Sequence, residues 1–130
     1  MLFRSLEPAE DYTQQGSTYG KRFGNSAGVT AAVLQCLKEQ EIDASALSVK
    51  VCNGAVECKN ALTLMKLGKL PENFMEGMIC EGGCVSGPSR QKALNELKRD
   101  RDAMIGRADG RGVHENLKMM NVEQVPMHRD

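Results

Sequence analysis

The sequence predicts an α/β fold built on a βαβ unit with parallel strands, flanking helices and a cysteine loop at a strand carboxyl end. Three observations carry that reading. Leu47-Ser48-Val49-Lys50-Val51-Cys52 alternates with the two-residue period of a half-buried strand. Ala61, Leu62, Leu64, Met65 and Leu67 then recur at helical spacing. Asn73 to Ile79 reads as a second strand, and the glycine-rich loop Cys80-Glu81-Gly82-Gly83-Cys84 follows it directly. Two strands joined through a helix pair in parallel, with a right-handed crossover. In open sheets of this class, chemistry gathers at the carboxyl ends of the strands.

Residues 1–18 are polar and aperiodic, and Glu7-Pro8-Ala9-Glu10-Asp11 reads as an extended or turn segment, so a mobile N-terminal stretch is expected there. Residues 19–130 carry the fold. Gly20, Gly24 and Gly28 punctuate a turn, with Asn25 or Ser26 as the helix N-cap. Val29, Val33, Leu34 and Leu37 give helical spacing to about residue 40. Asn53-Gly54 signals a turn, but a helical pattern follows it rather than a hairpin strand. Gly68 is placed to be the C′ residue of that helix, and Pro71 closes the region. Ser89 to Arg107 reads as a long helix capped by Ser86 or Ser89. Its apolar stripe is Ala93, Leu94, Leu97, Ala103 and Met104, and its many charges form a solvated face. Gly106, Gly110 and Gly112 interrupt the pattern. A short helix from Val113 to Met120 follows, and Pro126 favours an edge or irregular position for an extended 122–127.

Composition excludes several function classes. The 130 residues hold 17 basic and 17 acidic side chains, so no basic excess points to nucleic acid or an anionic membrane. Aromatics are 4% and Trp is absent, which leaves no platform for stacking bases. No apolar run approaches the roughly 20 residues of a membrane span. Met1-Leu2-Phe3 is soon followed by Arg4, Glu7 and Pro8, which breaks any secretory signal core. Five cysteines without such a signal read as reduced thiols or metal ligands, and a cytoplasmic location is expected. The glycine turn before the first long helix fits neither a Walker nor a Rossmann fingerprint.

The chemistry-bearing candidates are few. Cys80 and Cys84, four apart, suit cluster ligation, since thiolates are the usual ligands of iron–sulfur centres. The same spacing is open to two plain thiols or a labile disulfide. Glycines let backbone approach a cluster and aim N–H groups at sulfur. Cys36 and Cys52 fall inside apolar patterns and read as small core residues, and Cys58 reads as a packing or surface residue early in a helix. Glu76 lies on the second strand, where it can hold the loop or relay protons. His114 and His128 lack a second ligand at metal-binding spacing and read as surface residues.

The string Glu76-Gly77-Met78-Ile79-Cys80-Glu81-Gly82-Gly83-Cys84, with Gly87 beyond it, resembles the third cysteine signature of the [FeFe]-hydrogenase catalytic domain. Further segments match that family in order. Tyr19-Gly20-Lys21-Arg22-Phe23-Gly24-Asn25-Ser26-Ala27-Gly28-Val29-Thr30-Ala31-Ala32-Val33 is similar to its upstream glycine turn and helix. Asn53-Gly54-Ala55 with Asn60-Ala61-Leu62 resembles a strand-to-helix segment. Arg107-Ala108-Asp109-Gly110-Arg111 and Met127-His128-Arg129-Asp130 resemble the tail of its single-subunit branch. The family's two earlier cysteine motifs have no counterpart here, so the chain reads as the C-terminal part of a larger catalytic domain.

The resemblance implies a [4Fe-4S] cubane and a diiron unit in the complete protein, which exchanges electrons with ferredoxin and interconverts protons and H2. Cys80 would ligate the cubane. Cys84 would bridge the cubane to the diiron unit and so be the catalytic cysteine, and Met78 would pack near that unit. By itself this chain is expected to hold no intact cofactor, to be inactive, and to self-associate where the remainder of the catalytic domain would lie. The alternative is a non-catalytic iron–sulfur protein of the hydrogenase-like cluster-assembly or lamin-binding kind. A plain thiol-bearing domain is the third reading.

Overall fold

The computed structural model describes residues 16–119. Most of the expected N-terminal segment, the extended 122–127, His128 and the Met127–Asp130 match lie outside the described residues. The elements are α1 (Thr18–Arg22), α2 (Gly28–Glu39), β1 (Val49–Asn53), α3 (Ala55–Lys66), β2 (Phe74–Met78), α4 (Leu94–Gly106) and α5 (Val113–Met119), with a 3₁₀ turn at Cys84–Ser86.

The predicted βαβ unit is present. β1 and β2 pair in parallel, in a register that runs from Val49 opposite Phe74 to Asn53 opposite Met78. The pleat sends Cys52 and its partner Gly77 to the α3 side of the pair. There Cys52, Cys58 and Ala61 form the buried core, with Leu70 and Met75 packed around them. Glu76 points to the opposite side, and Met78 shares its parity.

The end of α3 follows the sequence closely. Gly68 sits at φ 64, its N–H donates to Met65 O at 3.0 Å, and Lys69 N–H donates to Leu64 O at 2.9 Å. That is the double bond of a Schellman motif, with glycine where the left-handed turn requires it. α2 ends in the same way with Glu41 at φ 56, and Ile42 N–H donates to Leu37 O at 2.9 Å.

The start of α2 departs from expectation. Neither Asn25 nor Ser26 caps it; the N-cap is Ala27, in the left-handed region at φ 66, and it makes no side-chain cap bond. A carboxylate far away in sequence does that work. Glu76 Oε2 accepts from Thr30 N–H at 2.8 Å and from Thr30 Oγ1 at 2.5 Å, and Oε1 accepts from Val29 N–H at 3.4 Å. An anion at a helix N-terminus satisfies orphan donors and complements the helix dipole. Glu76 and Thr30 are both buried. Glu76→Ala should therefore cost about 2–3 kcal/mol, since it strands buried donors. Glu76→Gln, which keeps an acceptor, should cost about half as much. Urea melts of the two variants check the order.

α4 begins five residues later than the sequence predicts. Ser86 does not cap it; its hydroxyl donates instead to Glu81 O and, at 3.0 Å, to Gly83 O. Gly87 is extended at ψ 176, as residues before proline prefer. The chain reaches helical geometry only after Ala93, which is the N-cap and makes no side-chain bond, so Ser89 is not the cap either. α1 was not anticipated. It is a single short helix capped by the buried Ser17, whose Oγ accepts from Gly20 N–H at 3.3 Å. Among the described residues, no helix is long and apolar enough to cross a membrane.

Candidate metal centre

The cysteine loop leaves β2 at Met78 and is fastened from three directions. Gly82 N–H donates to Asn53 Oδ1 at the end of β1, at 2.7 Å. Cys84 N–H donates to Gly24 O in the turn between α1 and α2, at 2.7 Å. Arg101 Nη1, from α4, donates to Gly82 O at 3.1 Å. Gly82 and Gly83 hold φ values of 84 and 105, which side-chain-bearing residues rarely adopt. At Gly83 there is a second constraint. A Cβ there would overlap Gly24 O and come within 2.8 Å of Asn25 Cα. Gly28 is restricted in a similar way, because its Cβ would overlap Arg22 O. The glycine turn and the cysteine loop are thus packed backbone to backbone.

All five cysteines are free thiols. Cys80 is half-buried and Cys84 exposed. A glycine stands beside each sulfur. A Cβ on Gly87 would lie 3.9 Å from Cys80 Sγ, and one on Gly24 would lie 3.8 Å from Cys84 Sγ. Each thiol thus has a neighbour without a side chain, which leaves sulfur surface open to a bulky inorganic group. A cleft of about 520 Å³ opens beside Cys84, lined also by Val85, Pro88 and Leu97. Met78 is half-buried at the end of β2, on the parity of Glu76.

This donor set fits an iron–sulfur cluster as half of its ligands. A cubane takes four, and among the described residues no group of three or more His, Cys, Asp or Glu side chains could hold a metal. Five of the loop amides are engaged within the protein. Gly82, Gly83, Cys84, Ser86 and Gly87 N–H all donate to oxygen. They stiffen the loop that carries the two thiols.

One comparison decides the family. A family model described as the iron-only hydrogenase large subunit, C-terminal domain, matches residues 1–88. The chain belongs to that family. The matched span of the iron-only hydrogenase domain includes both loop cysteines, the βαβ unit and the glycine turn on which Cys84 docks. No curated protein matches the chain. Membership in the iron-only hydrogenase family brings with it oxidoreductase chemistry and iron–sulfur clusters in the complete protein.

The remaining candidates fall elsewhere. Cys52 and Cys58 are buried behind the sheet, on the face away from Glu76. Cys58 Sγ lies 3.7 Å from Met78 O, so it packs under the strand that carries the loop. Glu76 is committed to α2, and it steadies the cysteine loop only through the turn that α2 carries. His114, read from the sequence as a surface residue, is partly exposed and has a carboxylate partner. Its Nδ1 lies 2.8 Å from Glu39 Oε2, on α2. The pairing joins residues 75 apart, so no local spacing signals it.

Glu39 anchors α5 to α2. It accepts from Val113 N–H at 2.8 Å, His114 N–H at 2.9 Å and Gln35 Nε2 at 2.8 Å. Its pKa is held down to about 2, first by the backbone N–H of His114, then by the Gln35 and His114 side chains. A depressed carboxyl stabilises the fold above its unfolded value and loses that contribution as pH falls through the folded one. The docking of α5 on α2 should therefore be intact above about pH 4.5 and give way between there and about pH 2. Amide exchange of Val113 and His114, followed from pH 6 to pH 2.5, should show protection fading in that window. Protection that is unchanged at pH 2.5 would contradict it.

Proposed function

We propose that this chain is the C-terminal catalytic segment of a cytoplasmic [FeFe]-hydrogenase that interconverts protons and H2 with ferredoxin as electron partner. In the complete protein Cys80 and Cys84 would hold the iron–sulfur cofactor, Cys80 as a cubane ligand and Cys84 as the thiolate shared with the diiron unit, and Met78 would pack beside it. The observation that carries the proposal is the placement of both thiols in one rigidly fastened loop, at the carboxyl end of β2, within the family-matched span. When bound, the diiron unit supplies the redox chemistry of H2. The protein's part is to hold two thiolates at fixed separation and keep backbone rather than side chains beside the sulfurs.

Anaerobic reconstitution with iron and sulfide tests this. The chain by itself should retain no stoichiometric cluster, whereas the complete catalytic domain should load a cubane and evolve H2 from a reduced low-potential donor. A stoichiometric cubane on this chain's own ligands would overturn the proposal. A loaded but inactive complete domain would favour the non-catalytic iron–sulfur reading.

The same proposal places the rest of the catalytic domain against α3. Leu62, Leu64 and Met65 are exposed on that helix, as is Leu67 at its C-cap, and Val56 is 73% exposed. Among the described residues no further strand pairs with the two-stranded sheet, which leaves its outer edges open. Apolar patches and unpaired strand edges promote association. Sedimentation should therefore show the isolated chain forming dimers or larger species as concentration rises, and a clean monomer throughout would contradict it.

A further inference from the structure

We infer that Cys36 is a peroxide-reactive thiol, served by His114 as its base and by Glu39 as the residue that orients the imidazole. The three side chains meet across the α2–α5 junction, away from the cysteine loop. Cys36 Sγ lies 3.9 Å from His114 Nε2, within the reach of a sulfur hydrogen bond. Glu39 Oε2 stands 2.8 Å from Nδ1 on the other side of the ring.

The tautomer follows from the partners. Glu39 is ionised at neutral pH, since its pKa is held near 2, so its oxygens can only accept. Nδ1 must therefore carry the proton. Nε2 of the neutral ring is left as an acceptor, and the Gln40 amide, with its Nε2 at 3.0 Å, can donate to it. The basic nitrogen thus lies within reach of the thiol and can take its proton once the Gln40 amide releases the single lone pair they share. A nucleophile within reach of a base that a third group orients is the arrangement of activated thiols. Cys36 and Glu39 stand three apart on α2 and Gln40 four from Cys36, so one helix face presents thiol, orienter and amide together. Cys36 is half-buried, which leaves it within reach of a small oxidant.

The step balances with hydrogen peroxide as the oxidant. His114 Nε2 takes the thiol proton. The thiolate sulfur attacks one peroxide oxygen, an S–O bond forms and the O–O bond breaks. The imidazolium returns its proton to the departing hydroxide. The thiol is oxidised to a sulfenic acid and the peroxide is reduced to water.

Dimedone trapping with site-resolved mass spectrometry tests this on the full chain at pH 7 with submillimolar hydrogen peroxide. A well-placed general base contributes roughly 10²–10⁴-fold in an optimised site, and this looser geometry should give about tenfold. Cys36 should thus be trapped about tenfold faster than in a synthetic peptide of residues 28–42, which lacks His114. His114→Ala should bring the rate down to that of the peptide and leave trapping at Cys84 unchanged. A wild-type rate equal to the peptide's overturns the proposal. So does an unchanged rate in a His114→Ala variant whose circular dichroism shows it folded. If that variant does not fold, the ratio of wild type to peptide decides alone.

Discussion

Cys84→Ala in the complete enzyme is expected to abolish H2 turnover, while Cys80→Ala is expected to deplete the cubane first and turnover in consequence. The two thiols have similar chemistry and different surroundings. Cys84 opens the 3₁₀ turn, its N–H is fixed to Gly24 O at 2.7 Å, and its side chain is exposed. It is the thiol with room for a partner on its open side. Cys80 is half-buried at the loop's entry, with Gly87 against its sulfur. Under the proposed assignment, loss of the bridging thiolate removes the link between the cubane and the diiron unit. Loss of the other leaves a three-ligand cubane prone to fall apart. Iron content, cubane electron paramagnetic resonance and H2 evolution on each variant separate the two. Cys58→Ala is the informative control, because it removes a small buried thiol on the far side of the sheet. It should cost about 1 kcal/mol of stability with turnover per loaded molecule retained. Equal loss of turnover in all three would remove the special role given to the loop pair.

Gly83→Ala should have the largest structural effect of any small substitution in the loop. It meets two obstacles at once, a φ of 105 and an overlap with Gly24 O that only backbone movement can relieve. The strain alone is worth about 1–3 kcal/mol. With the overlap added, a loss of about 3 kcal/mol or more is expected, or release of the cysteine loop from the glycine turn. Gly106→Ala sets the scale: its Cβ would meet nothing within 4 Å, so the change should be neutral or slightly stabilising at the end of α4. Thermal melts give the stability difference. Accelerated alkylation of Cys84 in Gly83→Ala would show that the loop had come loose. A variant as stable as Gly106→Ala, with Cys84 unchanged, would mean that the close approach of the two backbones does not matter.

The sequence made the central unit legible because its signals are local. Strand alternation at Val49 and Val51, helical spacing from Ala61 to Leu67, and Gly68 at the left-handed turn are each set within a few residues of the feature they specify. The loop cysteines were legible for the same reason. What escaped was set by residues distant in sequence. The cap of α2 is Glu76, 46 residues from Thr30, and no search for a serine or asparagine beside the helix would find it. The serine meant to cap α4 was drawn off by the carbonyls of Glu81 and Gly83, so the helix starts later than the periodicity suggests. His114 looked solitary because the carboxylate that holds it lies on another helix.

The core between β1 and α3 is held largely by sulfur. Cys52 is fully buried and Cys58 nearly so, and with Ala61 they fill the space where branched aliphatic side chains would usually sit. That makes every opening of this unit a chemical event as well as a conformational one. While closed, Cys52 is enclosed and Cys58 offers only a sliver of surface to an oxidant. Once the helix lifts, they are exposed together, and oxygen added to either would have to be forced back into a close-packed space with no provision for it. In the presence of an oxidant, a reversible fluctuation would then become a one-way exit from the native state. The working lifetime of the fold would follow the frequency of opening rather than its equilibrium stability.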